Sequence, residues 1–359
     1  RDLIGAWEQY VTSQGQWQEH QHEGYHGVAV DLTAFWRPRL KGWLGKHFHN
    51  IAGRALPAVS FGVVVRIGQM GLQRVPLLKS LVRTDPDEPS DTTLMNRLLR
   101  QVGQELAPDE VALLDAGFKL AALQAADIKR GVIRLAANVT ARRNYPAPYK
   151  GRGRRPVYGP LVRPLARTYK GRSIAASPAD FSQTFEYEGR TIKVKGWYDL
   201  ILPGVVPPAP ENETFDIYVF EDPLYQSPLV LAATLRLQPA TTFGLYQDRW
   251  PVEQVPLAAK HMIGAHRQFV FALQSCQRWP ELTLIVGGIL TYLAAALPPI
   301  PTGFWDKQPK ATPGRLRRLL ARVDFPKDYQ FPPQVRKKRA ITDHLPKGVA
   351  AHRRSKAVT

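Results

Sequence analysis

Cysteine is almost absent from this sequence. Cys276 is the only one in 359 residues, which excludes an internal disulfide framework and any cysteine-rich zinc site. A chain without disulfides fits a reducing compartment, and we expect a cytoplasmic location. The chain is nevertheless long enough to bury a large core, either as one elaborated domain or as two smaller ones.

We also expect neither a secretory signal peptide nor a membrane span. The longest uncharged run starts at Leu282, and its apolar part ends at Pro298 and contains Gly287 and Gly288. A transmembrane helix needs roughly 20 apolar residues, so we predict a buried helix over Glu281–Pro298. The sequence begins with Arg rather than Met, so the presence of an upstream segment is an open question.

Acidic residues are scarce relative to basic ones. Lys and Arg number 49 against 30 Asp and Glu, which gives a formal net charge of +19 and a pI near 10.1. Residues 306–359 alone carry 15 Lys or Arg and only 4 Asp. Such an excess predicts affinity for a polyanion. Nucleic acid is the favoured partner, and an anionic membrane surface is the alternative.

One candidate functional acid follows an apolar strand early in the chain. The segment His26–Trp36 reads HGVAVDLTAFW, and its run Val28–Val30 predicts a buried strand that ends at Asp31. The sheet would fix an acid at this position while leaving it open to solvent, which suits a metal ligand. An aspartate that caps a turn is the alternative.

A second acid occupies a similar setting. A helix capped by Asp91 or Thr92 is predicted to run to Gln104, and the segment EVALLDAGF (Glu110–Phe118) then places Asp115 directly after apolar residues. We predict a strand that ends at Asp115. A strand-end turn of the Asp-Ala-Gly type is the alternative.

The surrounding pattern predicts a mixed sheet. Strands are expected over Ala58–Gln69 and Arg74–Arg83, joined by a turn, with a further helix over Lys119–Lys129 and a strand over Gly131–Val139. The resulting order is β-β-β-α-β-α-β. It predicts three antiparallel strands followed by parallel ones, with one acid on the first strand and one on the fourth.

The stretch YQDRWPVEQVPLAAK carries the third acid. Its Tyr246, Arg249, Glu253 and Lys260 are spaced three, four and seven residues apart. A regular helix would place them within about 60° of one another. A carboxylate can hold a hard cation, while Arg and Lys bind phosphate oxygens. A solvated amphipathic helix is the alternative, and Pro256 argues against an unbroken helix because it lacks an amide donor.

These motifs resemble those of a large group of bacterial insertion-sequence DDE transposases in the retroviral-integrase superfamily. The pattern Y-x2-R-x3-E-x6-K is the signature of that group, and all four positions match. Trp250 directly after Arg249 is also common there. The strand before Asp31 resembles the first-acid strand of the group, and Asp115 resembles the acid of its D-x-G-F motif, although Ala116 stands where the group often has Arg.

The resemblance covers roughly His26–Pro299 and implies both a fold and a chemistry. The fold would be a ribonuclease-H-like α/β fold, in which a mixed sheet is flanked by helices and interrupted by a β-rich insertion before the last acid. Asp31, Asp115 and Glu253 would bind two Mg²⁺ ions, with Mn²⁺ as a substitute. They would catalyse DNA cleavage at transposon ends and strand transfer into target DNA.

The resemblance also implies partners. Tyr246, Arg249 and Lys260 would contact double-stranded DNA, and the protein would act as a dimer on two transposon ends, near the bacterial nucleoid and without a membrane. Two alternatives remain open. One is a nuclease with the same acids but no strand transfer, and the other is a domesticated DNA-binding protein that has lost its chemistry.

The 137 residues between Asp115 and Glu253 predict an insertion. It opens with a basic, glycine-rich segment that contains YKGRGRRPVYG. Small residues let phosphates approach the backbone, and basic side chains neutralise them; a solvated flexible loop is the alternative. The predicted DNA-binding residues of this segment are Lys150, Arg152, Arg154 and Arg155.

Alternating residues follow in the insertion, with a hairpin turn predicted at Glu188–Gly189. Two more strands are predicted over Phe215–Phe220 and Pro228–Leu237. Trp197 or Tyr198 is expected either to stack on a displaced DNA base or to pack within the protein.

Composition and motifs together divide the chain into five segments. These are an N-terminal polar segment (1–25), the first part of the catalytic core (26–140), the β-rich insertion with its basic entrance (141–240), the second, helical part of the core (241–300) and a basic, proline-rich tail (301–359). His20, His22 and His26 near the N-terminus suggest a metal site, but their spacing matches no ligand pattern. We therefore expect solvated histidines there.

Overall fold

A computed structural model of the chain describes residues 2–37, 39–49, 51–149, 151–265 and 271–321. The chain forms two compact units. The first contains residues up to 32, residues 62–82 and residues 92–253, and the second contains residues 33–61, residues 83–91 and the chain from 254 onward. All three acids singled out by the sequence fall in the first unit, whereas Lys260 falls in the second.

The described chain contains sixteen strands and seven α-helices. The strands are β1 (Gln18–Glu19), β2 (Gln21–His22), β3 (Tyr25–Trp36), β4 (Lys46–His49), β5 (Arg54–Met70), β6 (Gln73–Arg83), β7 (Glu110–Leu114), β8 (Gly131–Arg134), β9 (Ala141–Arg143), β10 (Leu161–Val162), β11 (Arg167–Tyr169), β12 (Arg172–Ile174), β13 (Phe181–Tyr187), β14 (Arg190–Ile201), β15 (Phe215–Glu221) and β16 (Leu229–Ala233). The helices are α1 (Leu3–Ser13), α2 (Asp91–Glu105), α3 (Leu120–Ala125), α4 (Pro239–Gln247), α5 (Gln254–Leu257), α6 (Leu273–Ala296) and α7 (Pro313–Leu320).

The sheet of the first unit is built around β3. Strand β5 lies on one side of β3 and itself pairs with β6, while β7 and then β8 follow on the other side. Strands β3 and β7 are parallel with Val30 opposite Leu114, and β7 and β8 are parallel with Leu114 opposite Ile133. The apolar runs of these strands favour this arrangement, because parallel strands are buried on both faces.

The predicted mixed α/β class is confirmed, and the elements from β3 to β8 follow the predicted order, with the short β4 added. Several strand boundaries differ from the predicted ones: the strand predicted over Gly131–Val139 ends at Arg134, and that predicted over Pro228–Leu237 ends at Ala233. The strand that was predicted to end at Asp31 continues to Trp36. Thr33, Ala34 and Phe35 are buried, so apolar burial continues past the acid and keeps the backbone extended.

Helix α2 packs on the sheet through one apolar face. Its buried residues Leu94, Leu98, Leu99 and Val102 recur at helical spacing and belong to the same core as Val28 and Val30 of β3. The approach is close at Gly62 of β5, where an added Cβ would lie 2.8 Å from Leu98. The core therefore fixes β3, the strand that carries Asp31.

The strands of the predicted insertion extend the same sheet. Strand β16 pairs antiparallel with β8, and β15, β14 and β9 follow in turn. The hairpin between β13 and β14 turns at Glu188 and Gly189, as predicted, and both residues have positive φ, 48° and 74°. The compact units thus place these strands with β3 and β7, a division different from the predicted segment boundaries.

Helix α6 in the second unit covers the apolar run that was predicted to be a buried helix. It packs closely on α5, since a Cβ at Gly287 would lie 2.8 Å from the Val255 carbonyl oxygen. By length and composition α6 could cross a membrane, but 56% of its most apolar window is buried within the protein. That burial is typical of a core helix.

Candidate active site

Two of the three acids lie on adjacent parallel strands. Asp31 follows Val30 within β3, and Asp115 follows Leu114, the last residue of β7. Because Val30 and Leu114 are opposite each other in the ladder, the next residue of each strand lies at the same level of the sheet. The predicted position of Asp115 at a strand end is therefore confirmed.

Asp31 has an unusual electrostatic environment. Burial raises its pKa to about 6, and the negative charges of Glu253 and Asp115 act in the same direction. A hydrogen bond of 2.9 Å from the Leu32 amide and the positive charge of Arg249 only partly oppose this rise. The charges of Asp115 and Glu253 therefore both act on Asp31, and we refer to Asp31, Asp115 and Glu253 as the acid cluster.

The segment that bears Glu253 is not one regular helix, in agreement with the break that Pro256 indicated. Helix α4 ends at Gln247, a 3₁₀ turn covers Trp250–Glu253, and after α5 a π-helical turn covers Ala258–Met262. Pro251 and Pro256 lack the amide donors that a continuous α-helix would use. The predicted common face of Tyr246, Arg249, Glu253 and Lys260 therefore does not exist as a helix face.

Arg249 and Tyr246 nevertheless contact the acids. Arg249 Nη2 donates to Glu253 Oε1 at 3.0 Å, and its guanidinium carbon lies 5.7 Å from the centre of the Tyr246 ring. The Tyr246 hydroxyl donates to Asp115 Oδ1 at 3.3 Å. Burial raises the pKa of Tyr246 to about 12, so this side chain remains a neutral donor at physiological pH.

Arg249 is a buried cation with one hydrogen-bond donor that is not used by the described residues. Only 8% of the residue is exposed, and burial opposes its charge, while Tyr246, Asp115 and Glu253 raise its pKa. Within the described part of the chain, its Nε has no hydrogen-bond partner. A buried donor without a partner is costly, so this N–H group is suited to donate a hydrogen bond to an anionic ligand.

Sequence reasoning missed Arg134, the last residue of β8. Its Nη1 lies 4.0 Å from Asp115 Oδ1, and its side chain is 52% exposed. The register explains the position, since Ile133 is opposite Leu114 and the following residues are Arg134 and Asp115. Predicting that β7 and β8 are adjacent and parallel, in the correct register, would have revealed the pair of Arg134 and Asp115. Arg134 therefore places a cation beside Asp115. The residue next to Asp115 in sequence, Ala116, carries no charge.

Lys260 belongs to the second unit. Its ammonium lies 5.4 Å from the centre of the Phe35 ring and 5.1 Å from that of the Trp36 ring. Cations over aromatic faces are attracted by the ring quadrupole. Its position in the π-helical turn, rather than on a helix shared with Glu253, is the clearest departure from the predicted geometry.

The predicted DNA-binding residues of the basic entrance fall on exposed backbone between β9 and β10. Arg152, Arg154 and Arg155 are exposed, and Arg155 lies over the ring of Tyr149 at 5.8 Å. Gly151 and Gly153 have positive φ, 76° and 79°, which glycine adopts without strain. Lys150 lies outside the described residues, as does the RKKR run at 336–339.

The structure contradicts base stacking by Trp197. This side chain is 1% exposed and donates from Nε1 to the Pro178 carbonyl oxygen at 2.8 Å. It belongs to the core of the first unit, so neither ring face is available to DNA. Tyr198 is half-buried and stacks on Phe181, with Arg236 over its ring at 4.2 Å.

The ligand chemistry of the acid cluster suits Mg²⁺ or Mn²⁺, although its three carboxylates do not all lie within 4.8 Å of one another. The donor atoms are carboxylate oxygens, the ligands that these hard cations prefer. The pKa of Asp31 is raised chiefly by burial and further by the charges of Glu253 and Asp115, and bound divalent cations would offset both effects. The sequence of the described chain therefore supplies both the ligands and an electrostatic reason for cation binding at Asp31, Asp115 and Glu253.

A second set of possible ligands, His20, His22 and Asp248, was not predicted as a site. Their ligand atoms all lie within 4.8 Å of one another, and this is the one such group of His, Cys, Asp and Glu in the described ranges. The histidines were expected to be solvated, but each side chain is only about 15% exposed. No local pattern could reveal this set, because Asp248 lies more than 220 residues along the chain from the histidines.

Comparison with protein-family models gives no match for this chain, and comparison with curated proteins gives none either. The case for a function therefore rests on the residues and their geometry.

Proposed function

We propose that this protein is a DDE transposase that cleaves DNA at transposon ends and joins those ends to target DNA. The observation that carries the proposal is geometric: Asp31 and Asp115, from distant parts of the sequence, lie at the same level of two adjacent parallel strands. The negative charge of Glu253 also acts on Asp31. Burial disfavours the charged form of Asp31, and perturbed carboxylates of this kind concentrate at functional sites.

The order of strands supports a ribonuclease-H-like core. The sheet contains the strands in the order β6, β5, β3, β7 and β8, so that β3 is central. Strand β7 is parallel to β3, and β8 is parallel to β7. The first acid lies on the central strand and the second directly after its parallel neighbour. This matches the arrangement implied by the transposase motifs, in which Glu253 completes the set.

Asp31, Asp115 and Glu253 would hold the metal ions, most simply Mg²⁺. Divalent ions held there would supply Lewis-acid activation of the attacking hydroxyl and stabilisation of the leaving oxygen. The residues of the chain do the positioning. Tyr246 donates to Asp115 and so orients its carboxylate. Arg249 holds Glu253 through Nη2 and keeps Nε available for a phosphate oxygen.

The remaining basic residues would bind the DNA backbone. Arg134 lies beside the acid cluster, and Arg152, Arg154 and Arg155 form an exposed basic segment in the same unit. These contacts, together with Lys260, would position DNA without reading its sequence. A dimer that holds two transposon ends, acting on the bacterial nucleoid in the cytoplasm, is the assembly consistent with this role.

The test is metal-dependent cleavage of DNA. The substrate is a supercoiled plasmid that carries the genomic DNA flanking both sides of the coding sequence, incubated with Mg²⁺ or Mn²⁺. Wild type is compared with Glu253→Gln and with Glu211→Gln, a matched change at an exposed acid. We expect Glu253→Gln to cut at least about 100-fold more slowly, equivalent to about 2.7 kcal/mol of activation free energy, while DNA binding is retained.

Strand transfer is tested separately. An oligonucleotide with a 3′-hydroxyl at the flanking-DNA end is mixed with a target plasmid, and joined products are counted. Cleavage without joining would identify a nuclease. DNA binding without cleavage, or equal cleavage by Glu253→Gln, would overturn the catalytic assignment and favour a DNA-binding protein that has lost its chemistry.

A further inference from the structure

His20, His22 and Asp248 form a compact cluster that the transposase reaction does not use. We propose that this histidine cluster binds one divalent transition-metal ion, such as Zn²⁺ or Co²⁺, and thereby fixes the segment that carries Tyr246 and Arg249. Binding of the ion is independent of the catalytic assignment, because none of the three ligands belongs to the acid cluster. Its supporting role toward Tyr246 and Arg249 rests on the proposed function.

The fold brings the three residues together within the first unit. His20 lies between β1, which pairs with β5, and β2, which pairs with β3 and ends at His22. Asp248 follows the last residue of α4. Helix α4 approaches His22 closely at Gly244, where an added Cβ would lie 2.5 Å from the imidazole. Strand pairing and this close contact therefore hold all three side chains in place.

The distances are compatible with a tetrahedral ion. Asp248 Oδ2 lies 2.5 Å from His20 Nδ1 and 3.0 Å from His22 Nε2. Metal–ligand distances of about 2.0–2.1 Å in a tetrahedron separate ligand atoms by about 3.3 Å. The His22–Asp248 pair would open by a few tenths of an ångström, and the His20–Asp248 pair by less than about 1 Å. Rotation of the side chains can supply such shifts.

Arg74 prepares the carboxylate to act through one oxygen. Its Nε donates to Asp248 Oδ1 at 3.0 Å, while both histidines face Oδ2. A hydrogen bond to the second oxygen orients a ligating carboxylate, as is usual around metal sites. Asp248 is only 2% exposed, so this orientation is maintained by the protein rather than by solvent.

The chemistry of the ligands selects the ion. Two imidazole nitrogens and one carboxylate oxygen suit Zn²⁺, Co²⁺ and similar ions, with a fourth position for water. Mg²⁺ prefers oxygen ligands only and belongs at the acid cluster. The two clusters should therefore bind different metals from a mixture, which allows them to be distinguished in one experiment.

Binding would act on the signature segment directly. Asp248 lies between Tyr246 and Arg249 in sequence, and those residues donate to Asp115 and Glu253 respectively. An ion bound to Asp248 would restrict the conformations of the backbone that carries Tyr246 and Arg249. The expected role is structural, in support of the residues that position the acids.

The experiment measures Co²⁺ binding to the full chain after treatment with EDTA and removal of the chelator. We expect one equivalent of Co²⁺ with the intense visible absorption of tetrahedral coordination, unchanged by excess Mg²⁺. His20→Gln and His22→Gln should each weaken binding roughly tenfold or more. His49→Gln, in the second unit, is the matched control. Glu253→Gln should bind Co²⁺ like wild type, which separates this site from the acid cluster.

A second readout covers the case in which the variants do not fold. In wild type, paramagnetic Co²⁺ should shift the imidazole resonances of two histidines, and Zn²⁺ should raise the melting temperature. Absence of stoichiometric Co²⁺ binding by folded wild type, equal binding by folded His20→Gln and His22→Gln, or no shifted imidazole signals would each overturn the proposal. A cluster that stabilises the fold without metal is then simply a hydrogen-bonded clamp.

Discussion

Asp31 and Asp248 are two largely buried aspartates of the same unit, yet their environments shift their pKa values in opposite directions. Burial raises the pKa of Asp31 to about 6, with Glu253 and Asp115 adding to the rise. Burial acts in the same sense on Asp248, but hydrogen bonds from His22 and His20 outweigh it and lower the pKa of that carboxyl.

The comparison shows that burial alone does not decide the charge of a carboxylate; the donors around it do. Asp248 is surrounded by two imidazoles and a guanidinium, which compensate its charge within the protein. Asp31 faces two other acids and one cation, so its charge is not fully compensated. We infer that the uncompensated cluster is the reactive one and the compensated cluster the supporting one.

The largest effect on stability is expected for Asp248→Asn in the presence of EDTA. The change removes the charge that pairs with Arg74 and the histidines, and should lower the free energy of unfolding by about 3 kcal/mol at pH 7. Because the pKa of Asp248 is lowered on folding, this contribution is present above the ordinary aspartate pKa and is lost as the pH falls through the lowered value. Urea denaturation measures it, and the exposed Asp127→Asn is the control.

Loss of less than about 0.5 kcal/mol on this substitution would contradict the idea that Asp248 is compensated by its neighbours.

The opposite sign is expected for Asp31→Asn without metal. The folded protein binds more protons than the unfolded chain between the ordinary pKa of 3.8 and about 6, so the stability of wild type falls as pH rises through that window. At pH 8 the variant should be more stable than wild type by up to about 3 kcal/mol. The gain should vanish near pH 4. Denaturation at both pH values, with the exposed Asp87→Asn as control, measures it.

If Asp31→Asn destabilises the metal-free protein at pH 8, the acid cluster is not electrostatically strained, and the contrast with Asp248 fails.

A smaller effect on stability is expected for a substitution of Tyr246, the uncharged residue of the site. Tyr246→Phe removes the hydroxyl that donates to Asp115 and should cost about 0.5–1.5 kcal/mol of unfolding free energy. The variant should also leave Asp115 less well oriented and slow DNA cleavage without weakening DNA binding. Tyr225→Phe, at a tyrosine that is 60% exposed, should have no effect on either measurement. Equal behaviour of the two variants would remove Tyr246 from the site.

The smallest effect is expected for Arg134→Gln. This residue is half-exposed, so its ion pair with Asp115 should contribute little to stability. Its effect should appear in DNA binding, where the slope of log affinity against log salt concentration should decrease in magnitude by about 1. Co²⁺ binding at the histidine cluster should not change. A salt slope identical to that of wild type would exclude a phosphate contact at Arg134.

Local sequence was sufficient where one signal determined the structure. The apolar run before Asp115 predicted a strand that ends there, and the Glu188–Gly189 pair predicted the hairpin between β13 and β14. The strand through Asp31 was predicted too short, because the residues after the acid continue to be buried by contacts that a local pattern does not encode. Strand existence was predictable, and strand length was not.

The geometry of the site depended on information that is not local. The prolines around Glu253 warned of a break, but not that the chain would pass from a 3₁₀ turn to a π-helical turn within thirteen residues. Arg134 could be found only from the register of two parallel strands. The histidine cluster joins residues from opposite parts of the chain, and only the three-dimensional structure brings them together.

The close approach at Gly244 has a consequence for how this sequence can vary. The space that a methyl group would need at position 244 is taken by the imidazole of His22. The two positions should therefore covary among relatives of this chain, with glycine at 244 wherever position 22 carries an imidazole. A lineage that replaces the histidine with a small residue loses this requirement, and a larger residue at 244 becomes neutral. Covariation of this pair would record, in evolutionary history, whether the histidine cluster was kept.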